Sequence, residues 1–160
     1  MLKEGVIAPD FSAILDNGQR FKLSAYKGEK NIVLYFYPRD FTPGCTRQAC
    51  LFRDNYSELG QYDAVIIGIS NNTDESHRKF RDKYRLPFPL IADPGKKLIE
   101  LYEAKGLLGL LTARVTYVID KAGVIRRVLR HDFAVGRHWP ETLDALSALK
   151  NTDRQAKSIS

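Results

Sequence analysis

The chain of 160 residues has little sulfur and few histidines: two cysteines, one methionine and three histidines. Two cysteines are too few for a disulfide scaffold, which excludes the small secreted domains that several bridges hold together. Two thiols and three scattered histidines also do not match the ligand spacings of a zinc site. We therefore expect no metal and no cofactor. In a reducing compartment, a cysteine pair without such a site is more typical of catalysis.

Long apolar runs are also missing from the sequence. No stretch approaches the roughly 20 apolar residues of a membrane span, and residues 1–5 do not begin the apolar region of a signal peptide. We expect one domain over residues 1–150, no membrane partner and a cytoplasmic location. Residues 151–160 are polar and are predicted to be a disordered tail.

The charge balance is basic, with 25 Lys and Arg against 19 Asp and Glu and a net charge of +6. The densest basic stretch, residues 77–85, is predicted to be a helix capped by Asn72, with Glu75 three residues later. A solvated helix face explains this stretch better than a phosphate-binding surface, so we do not expect nucleic acid as a partner. A basic, non-enzymatic binding module is an alternative function that rests on charge alone.

Both cysteines follow an apolar, β-branched and aromatic run at residues 31–37, which predicts a strand covered on both faces. A helix is predicted directly after this strand. Thr42 is a suitable N-cap, and Pro43 suits the first helical position, where its missing N–H is not needed. The helix is expected to end near Gly60.

Cys45 falls at the third position of this helix. The first-turn N–H groups are unpaired and the positive end of the helix dipole lies here, so both favour thiolate, the nucleophilic form, over thiol. Gly44 has no side chain, which would let a small substrate approach the backbone amides. The Thr42 hydroxyl can hydrogen-bond a sulfur or an incoming oxygen. An inert, buried cysteine is the alternative.

The second cysteine, Cys50, comes five residues after Cys45. In an intact helix it lies about 140° around the axis, with the two Cα atoms roughly 8–9 Å apart, which is beyond disulfide reach. The two cysteines are therefore either unrelated thiols or a redox pair that bonds only when the first turns of the helix open.

This segment resembles the active-site pattern of the peroxiredoxins, which is Pro, three residues, Thr or Ser, two residues, and Cys. Pro38, Thr42 and Cys45 fit that pattern. The string 42–46, with Cys50 five residues after Cys45, is similar to the peroxiredoxin Q group, also called bacterioferritin comigratory protein. The likeness spans about residues 3–150 and includes motifs at 68–70, 86–90, 92–94 and 114–120.

The resemblance implies a thioredoxin-dependent peroxidase of the atypical 2-Cys type and a role for each matching residue. Cys45 would attack the peroxide O–O bond and become a sulfenic acid. Thr42 would orient the peroxide, and Pro38 would shield the sulfenate from over-oxidation. Arg114 would stabilise the thiolate and hold the departing oxygen. Cys50 would resolve the sulfenic acid as an intramolecular disulfide.

The implied partners are hydrogen peroxide and alkyl hydroperoxides, together with thioredoxin or a glutaredoxin-like dithiol that reduces the disulfide. A thiol–disulfide oxidoreductase is the competing enzyme class, but that chemistry usually uses Cys-x-x-Cys. A Cys–His hydrolase needs a base beside the sulfur, whereas His77 is predicted on a helix face. His131 and His138 are predicted near a strand end and in a loop.

Three features depart from expectation. Many peroxiredoxin Q members carry Glu where this chain has Gln48. Without the resemblance, Arg114 would be read as a surface arginine at a strand end. The apolar segment 106–111 is predicted to cover the active site, to form a dimer contact or to be tucked into the core. The chain is accordingly expected to be a monomer or a weak homodimer.

The remaining pattern predicts an α/β fold. Apolar segments at 11–15 and 20–23 flank Asp16-Asn17-Gly18, which indicates an N-terminal β-hairpin. Further strands are predicted at 64–70, 115–119 and 124–130, an X-Pro turn at 86–89, and helices near 96–102 and 142–149. Two βα units followed by a hairpin and a helix favour a thioredoxin-like fold, with a mixed central sheet flanked by helices.

Overall fold

Strands and helices alternate along most of the chain, and the computed structural model describes residues 1–159. The strands are β1 (Ser12–Ile14), β2 (Arg20–Lys22), β3 (Asn31–Phe36), β4 (Ala64–Ser70), β5 (Leu90–Ala92), β6 (Val115–Ile119) and β7 (Ile125–Arg130). The helices are α1 (Pro43–Asp54), α2 (Tyr56–Leu59), α3 (Asp74–Tyr84), α4 (Lys97–Leu101) and α5 (His138–Ile159). None of the helices described is long and apolar enough to cross a bilayer.

Five of the strands form one mixed sheet in the order β5-β4-β3-β6-β7. The pairs β3–β4 and β4–β5 are parallel, whereas β3–β6 and β6–β7 are antiparallel. β1 and β2 form a separate antiparallel hairpin. The predicted mixed sheet and N-terminal hairpin are therefore confirmed.

The central strand β3 is buried along its whole length, which explains its uninterrupted apolar sequence. Because successive side chains of a strand point to opposite faces, β3 contributes to two cores. Ile32, Leu34 and Phe36 pack on the face that the hairpin and α4 cover. Val33 and Tyr35 pack on the other face, against residues of α1, α3 and α5.

The sheet register brings the candidate residues together at one end of the inner strands β3 and β6. Phe36, at the end of β3, is paired with Val115, at the start of β6. Arg114 directly precedes β6, and the loop that leads into α1 directly follows β3. An arginine 69 residues beyond Cys45 in the sequence is thereby placed beside the first turn of α1.

The cysteine helix is shorter than predicted. It ends at Asp54, and Asn55 leaves the helical conformation at φ −111° and ψ 10° before α2 begins. The Asn55 side chain donates to the carbonyl of Leu51 at 2.8 Å, a local bond that competes with the helix ladder. The predicted single helix to Gly60 is therefore two helices with a break between them.

The cap of the basic helix was also predicted wrongly. Thr73, not Asn72, is the N-cap of α3, and its hydroxyl accepts from the Ser76 N–H at 3.2 Å. Asn72 instead accepts from the backbone N–H of Asp40 at 3.0 Å. Because the Asn72 side chain bonds the Asp40 loop, it does not cap α3.

Three further predictions need correction. The last helix begins at His138 rather than at residue 142. It continues through residues 151–159, so the prediction of a disordered tail is wrong for these residues. Residue 160 lies outside the described part of the chain. Pro140 does not interrupt this helix, because proline is tolerated in the first turn. No glycine or proline follows Pro140, so the rest of the helix contains no helix-breaking residue. The strand β5 was missed because the prolines before it indicated only a turn.

The apolar segment 106–111 is not tucked into the core. Leu107, Leu108, Leu110 and Leu111 are 79%, 84%, 71% and 66% exposed. The prediction that this segment is tucked into the core is therefore wrong. The other two predictions, a cover for the active site and a contact with a second copy of the chain, stay open.

Candidate active site

Cys45 lies in the first turn of α1 and is 1% exposed. It shares the buried face of the helix with Ala49 and Phe52, which pack in the same core. Both Cys45 and Cys50 are free thiols in this structure.

Arg114 is the polar group that reaches the sulfur. Its Nη1 lies 3.4 Å from Sγ of Cys45 and donates to Oε1 of Gln48 at 2.7 Å. The side chain is only 5% exposed, so the alternative of a surface arginine is wrong. Its backbone N–H donates to Oδ1 of Asp132 at 2.9 Å, and its Nε donates to the Asp132 carbonyl at 3.5 Å. These two bonds fix the start of β6.

Electrostatics make this arginine unusual. Within residues 1–159 no carboxylate oxygen lies within 4.0 Å of its guanidinium nitrogens. The Asp132 carboxylate accepts from the Arg114 backbone N–H and lies farther from the guanidinium, and a buried charge is costly unless it is closely paired. Gln48 is neutral, so a thiolate at Cys45 is the anion best placed to compensate the guanidinium.

Gly44 provides room for Arg114. A Cβ at this position would lie 3.1 Å from Nη2 of Arg114 and 3.6 Å from Cγ2 of Val135. The absence of a side chain at Gly44 predicted open space for a substrate, but the Arg114 guanidinium occupies that space. Contact between a substrate and the Gly44 amide stays a prediction.

Thr42 is the N-cap residue directly before α1, but its side chain makes no capping hydrogen bond. The hydroxyl donates to the carbonyl of Arg39 at 2.8 Å, and the Thr42 carbonyl accepts from the N–H of Thr46 at 2.9 Å. A cavity beside this turn is lined by Pro38, Thr42, Asn71, Asn72, Leu110 and Leu111. Pro38 and Thr42 therefore face a common opening, with two leucines of the apolar segment at its rim.

Cys50 lies two turns after the start of α1 and is half-buried. The helix is continuous between the two cysteines. In this geometry their Cα atoms stand roughly 8–9 Å apart, so a bond between them requires the helix to open. The structure places both on one helix but does not bring the two sulfurs together.

His77 and His138 are buried and His131 is partly buried, and none of their described hydrogen bonds reaches Cys45. His138 Nε2 lies 3.1 Å from the carbonyl of His131 and its Nδ1 lies 2.9 Å from the Thr116 hydroxyl. Burial lowers the pKa of His138 to about 4, so it is neutral at pH 7. His77 is fully buried against Asp40, whereas the sequence placed it only on a helix face.

Sequence reasoning missed Asp40 altogether. The sequence carried a signal only for the burial of His77, which shares one face of α3 with the buried Phe80 three residues later. Burial also raises the pKa values of Tyr35 and Tyr37, which lie beneath the cysteine turn, so both hydroxyls keep their protons.

Comparison with known proteins identifies the family. The profile of the AhpC/TSA family matches residues 5–128. The chain belongs to this family, the peroxiredoxins. Its curated relatives include the chloroplastic peroxiredoxin Q of Sedum lineare, which is 43% identical over 148 residues and covers 92% of this chain and 79% of the relative. The Arabidopsis thaliana peroxiredoxin Q is 45% identical over 148 residues, with 92% and 68% covered.

Solved structures agree with the sequence relatives. Peroxidoxin BcpB from Mycobacterium tuberculosis superimposes with a TM-score of 0.85 at 33% identity, covering 92% of this chain and 98% of that one. The bacterioferritin comigratory protein of Xanthomonas campestris, a protein with alkyl peroxide reduction activity, gives a TM-score of 0.79 at 28% identity, with 86% and 90% covered. The predicted thioredoxin-like fold is confirmed.

Membership also establishes the general activity. Proteins of the peroxiredoxin Q group are thiol peroxidases that work through a peroxidatic cysteine, and this peroxiredoxin is one of them. The prediction of an enzyme and the resemblance to the peroxiredoxin Q group are both confirmed.

Proposed function

We propose that Cys45 is the peroxidatic cysteine of this peroxiredoxin and that Arg114 is its electrostatic partner. The observation that carries the proposal is the distance of 3.4 Å between Arg114 Nη1 and Cys45 Sγ, in a site where both side chains are buried. A buried guanidinium stabilises a thiolate, and its fixed donors can also bind an oxygen that gains negative charge.

The chemistry of the first step follows from this pair. The Cys45 thiolate attacks one oxygen of the hydroperoxide, an S–O bond forms and the O–O bond breaks. The sulfur is oxidised to sulfenic acid, and the other oxygen leaves as water or an alcohol after it takes up a proton. Arg114 holds the leaving oxygen while its negative charge develops.

Thr42 and Pro38 complete the proposed substrate site. Both line the cavity at the start of α1. In this proposal the Thr42 hydroxyl orients the peroxide through a hydrogen bond, and Pro38 shields the sulfenate. We assign hydrogen peroxide and alkyl hydroperoxides as substrates. Leu110 and Leu111 at the same cavity support the organic hydroperoxides, because they offer an apolar wall to an alkyl chain.

Cys50 is the proposed resolving cysteine. Its thiol condenses with the Cys45 sulfenic acid, so that an S–S bond forms and water leaves. Thioredoxin or a glutaredoxin-like dithiol then reduces the disulfide and is itself oxidised. A cytoplasmic location and a monomer or weak homodimer stay predictions, and the named plant relatives are chloroplastic proteins.

Stopped-flow kinetics test the proposal. Reduced wild-type protein should consume one equivalent of hydrogen peroxide rapidly, and Cys45→Ser should abolish this reaction. Cys50→Ser should retain the first oxidation step but lose turnover that depends on a dithiol. Unchanged peroxide consumption in Cys45→Ser would show that another residue reacts.

A further inference from the structure

A buried carboxylate in the loop between β3 and α1 has no part in the peroxidase steps described above. The Asp40 side chain has no exposed surface and is hydrogen-bonded to three side chains. The Tyr37 hydroxyl donates to Oδ1 at 2.6 Å, the Ser76 hydroxyl donates to Oδ2 at 2.8 Å, and His77 Nδ1 lies 2.7 Å from Oδ2.

His77 is held from both sides of its ring. Its Nε2 lies 3.1 Å from the carbonyl of Ile91, and because a carbonyl only accepts, Nε2 carries a proton. On the other side of the ring, Nδ1 faces Asp40 Oδ2 at 2.7 Å and the Tyr37 hydroxyl at 3.4 Å. Burial raises the pKa of Tyr37, which keeps that hydroxyl a donor to Asp40. The Asp40 carboxyl group is thus held by Tyr37, directly after β3, and by Ser76 and His77 of α3.

The same loop is tied down through its backbone. The Asp40 N–H donates to Oδ1 of Asn72 at 3.0 Å, and the Ser70 hydroxyl donates to the same oxygen at 2.7 Å. The bonds to Asp40 therefore come from Tyr37 directly after β3, from Asn72 in the turn that follows β4, and from α3.

The next residue shows why such anchoring is needed. Phe41 has a φ of 67°, in the left-handed region that a bulky residue rarely adopts. A strained residue of this kind persists only where its surroundings determine the conformation. The Phe41 ring packs on Phe80 of α3 with a centroid distance of 5.2 Å, next to the Asp40 contacts on the same helix.

We propose that Asp40 and His77 are positioning residues for the peroxide reaction, an inference that rests on the proposed function. Asp40 lies two residues from both Pro38 and Thr42 in the loop that carries them. The anchored carboxylate fixes the left-handed turn at Phe41, and that turn sets where the Thr42 hydroxyl stands relative to Cys45. Neither Asp40 nor His77 contacts the sulfur, so both act through the loop.

This arrangement separates two reactions of the same thiol. Peroxide reduction needs the thiolate and also a correctly placed Thr42 and Pro38. Alkylation of Cys45 by iodoacetamide needs the thiolate, which Arg114 stabilises from β6, but no orientation of a peroxide. Loss of the anchor should therefore slow the first reaction and leave the second nearly unchanged.

The test compares Asp40→Ala and Asp40→Asn with wild type. Stopped-flow kinetics give the rate with hydrogen peroxide, and peptide mass spectrometry gives the alkylation rate of Cys45. Misplacement of a substrate-orienting group by about 1 Å costs up to about a hundredfold, so Asp40→Ala should slow the peroxide step by about tenfold to a hundredfold. The alkylation rate should change by less than about twofold. Asp40→Asn keeps hydrogen-bonding groups and should recover most of the rate.

Asn31→Ala is the matched control. Asn31 is a buried polar residue at the opposite end of β3, where its side chain donates to the carbonyl of Tyr62 at 2.8 Å. Its loss should lower stability without changing either rate. If Asp40→Ala does not fold, Ser76→Ala removes one of the three bonds and should slow the peroxide step by about threefold.

The outcomes separate this inference from the proposed function. Wild-type protein that does not react with peroxide would contradict the proposed function. A reactive wild type, with an anchor variant whose peroxide rate is unchanged or whose two rates fall by the same factor, would overturn the positioning role alone.

Discussion

Arg114 Nη1 lies 3.4 Å from Cys45 Sγ, and the two residues are 69 positions apart in the chain. The pairing of β3 with β6 produces this contact, because it sets the residue before β6 next to the start of α1. The guanidinium is buried, bonded to a neutral amide and placed against a thiol. A cation in such a position favours the thiolate, which is the reactive form.

Arg114→Lys should retain the positive charge but lose activity. A lysine cannot contact the sulfur, Gln48 and a departing oxygen at once, since it lacks the planar fork of donors. The loss of one fixed donor to a developing oxyanion predicts a peroxide rate about a hundredfold lower. Arg127→Lys, an exposed change on β7, is the control and should match wild type in stopped-flow assays. A fully active Arg114→Lys would mean that charge alone is sufficient.

Gln48→Glu should compete with the thiolate for Arg114. The change would place a carboxylate where Oε1 now accepts from Nη1 at 2.7 Å, and this new anion would partly neutralise the guanidinium. We expect iodoacetamide to alkylate Cys45 about three- to tenfold more slowly at pH 7, which corresponds to roughly 1 kcal/mol. Gln61→Glu, the same change at an exposed position, should have no effect. Equal rates in both variants would show that the guanidinium does not act on the thiolate.

Oxidation should open the first turns of α1. The two cysteines cannot bond within an intact helix, so disulfide formation requires residues 43–50 to unwind. Phe52 is buried and packed against Trp139, and the helix already breaks at Asn55, so the remainder should stay folded. Amide hydrogen exchange should show lost protection from Thr46 to Phe52 on oxidation, but not from Tyr56 onward. Equal protection in both redox states, with a disulfide confirmed by mass, would contradict this motion.

His138 should make stability depend on pH. Its pKa is about 4 in the folded chain because of burial, against about 6.5 when unfolded. Between these values the unfolded chain binds the proton and the folded chain does not, so the contribution is complete above pH 6.5 and lost as the pH falls towards 4. The expected loss is about 3 kcal/mol. Urea unfolding at pH 7 and pH 4 should show this loss in wild type and a smaller one in His138→Gln; equal losses would contradict it.

Much of this architecture could be predicted from local pattern. The unbroken apolar run of β3, the Asp16-Asn17-Gly18 hairpin and the Thr42-Pro43 helix start are each encoded by neighbouring residues. The resemblance to the peroxiredoxins added Arg114, which no local pattern would have placed beside the sulfur.

The errors arose where distant contacts replaced local preferences. Asn72 is a good cap by type, but it binds the Asp40 loop instead, and Thr73 takes the cap. Gly44 appeared open to substrate because the sequence does not show that Arg114 fills the space above it. The buried pair of Asp40 and His77 joins residues 37 positions apart, so no spacing rule could have connected them.

The mass of the intact protein after one equivalent of hydrogen peroxide tests the central claim most directly. If Cys45 is oxidised and Cys50 resolves it, wild type should lose two hydrogens as the disulfide forms. Cys50→Ser should instead gain one oxygen as a sulfenic acid, and Cys45→Ser should show neither change. A wild-type chain that gains oxygen without losing two hydrogens would contradict the pairing, and oxidation of Cys45→Ser at the wild-type rate would contradict the assignment of Cys45.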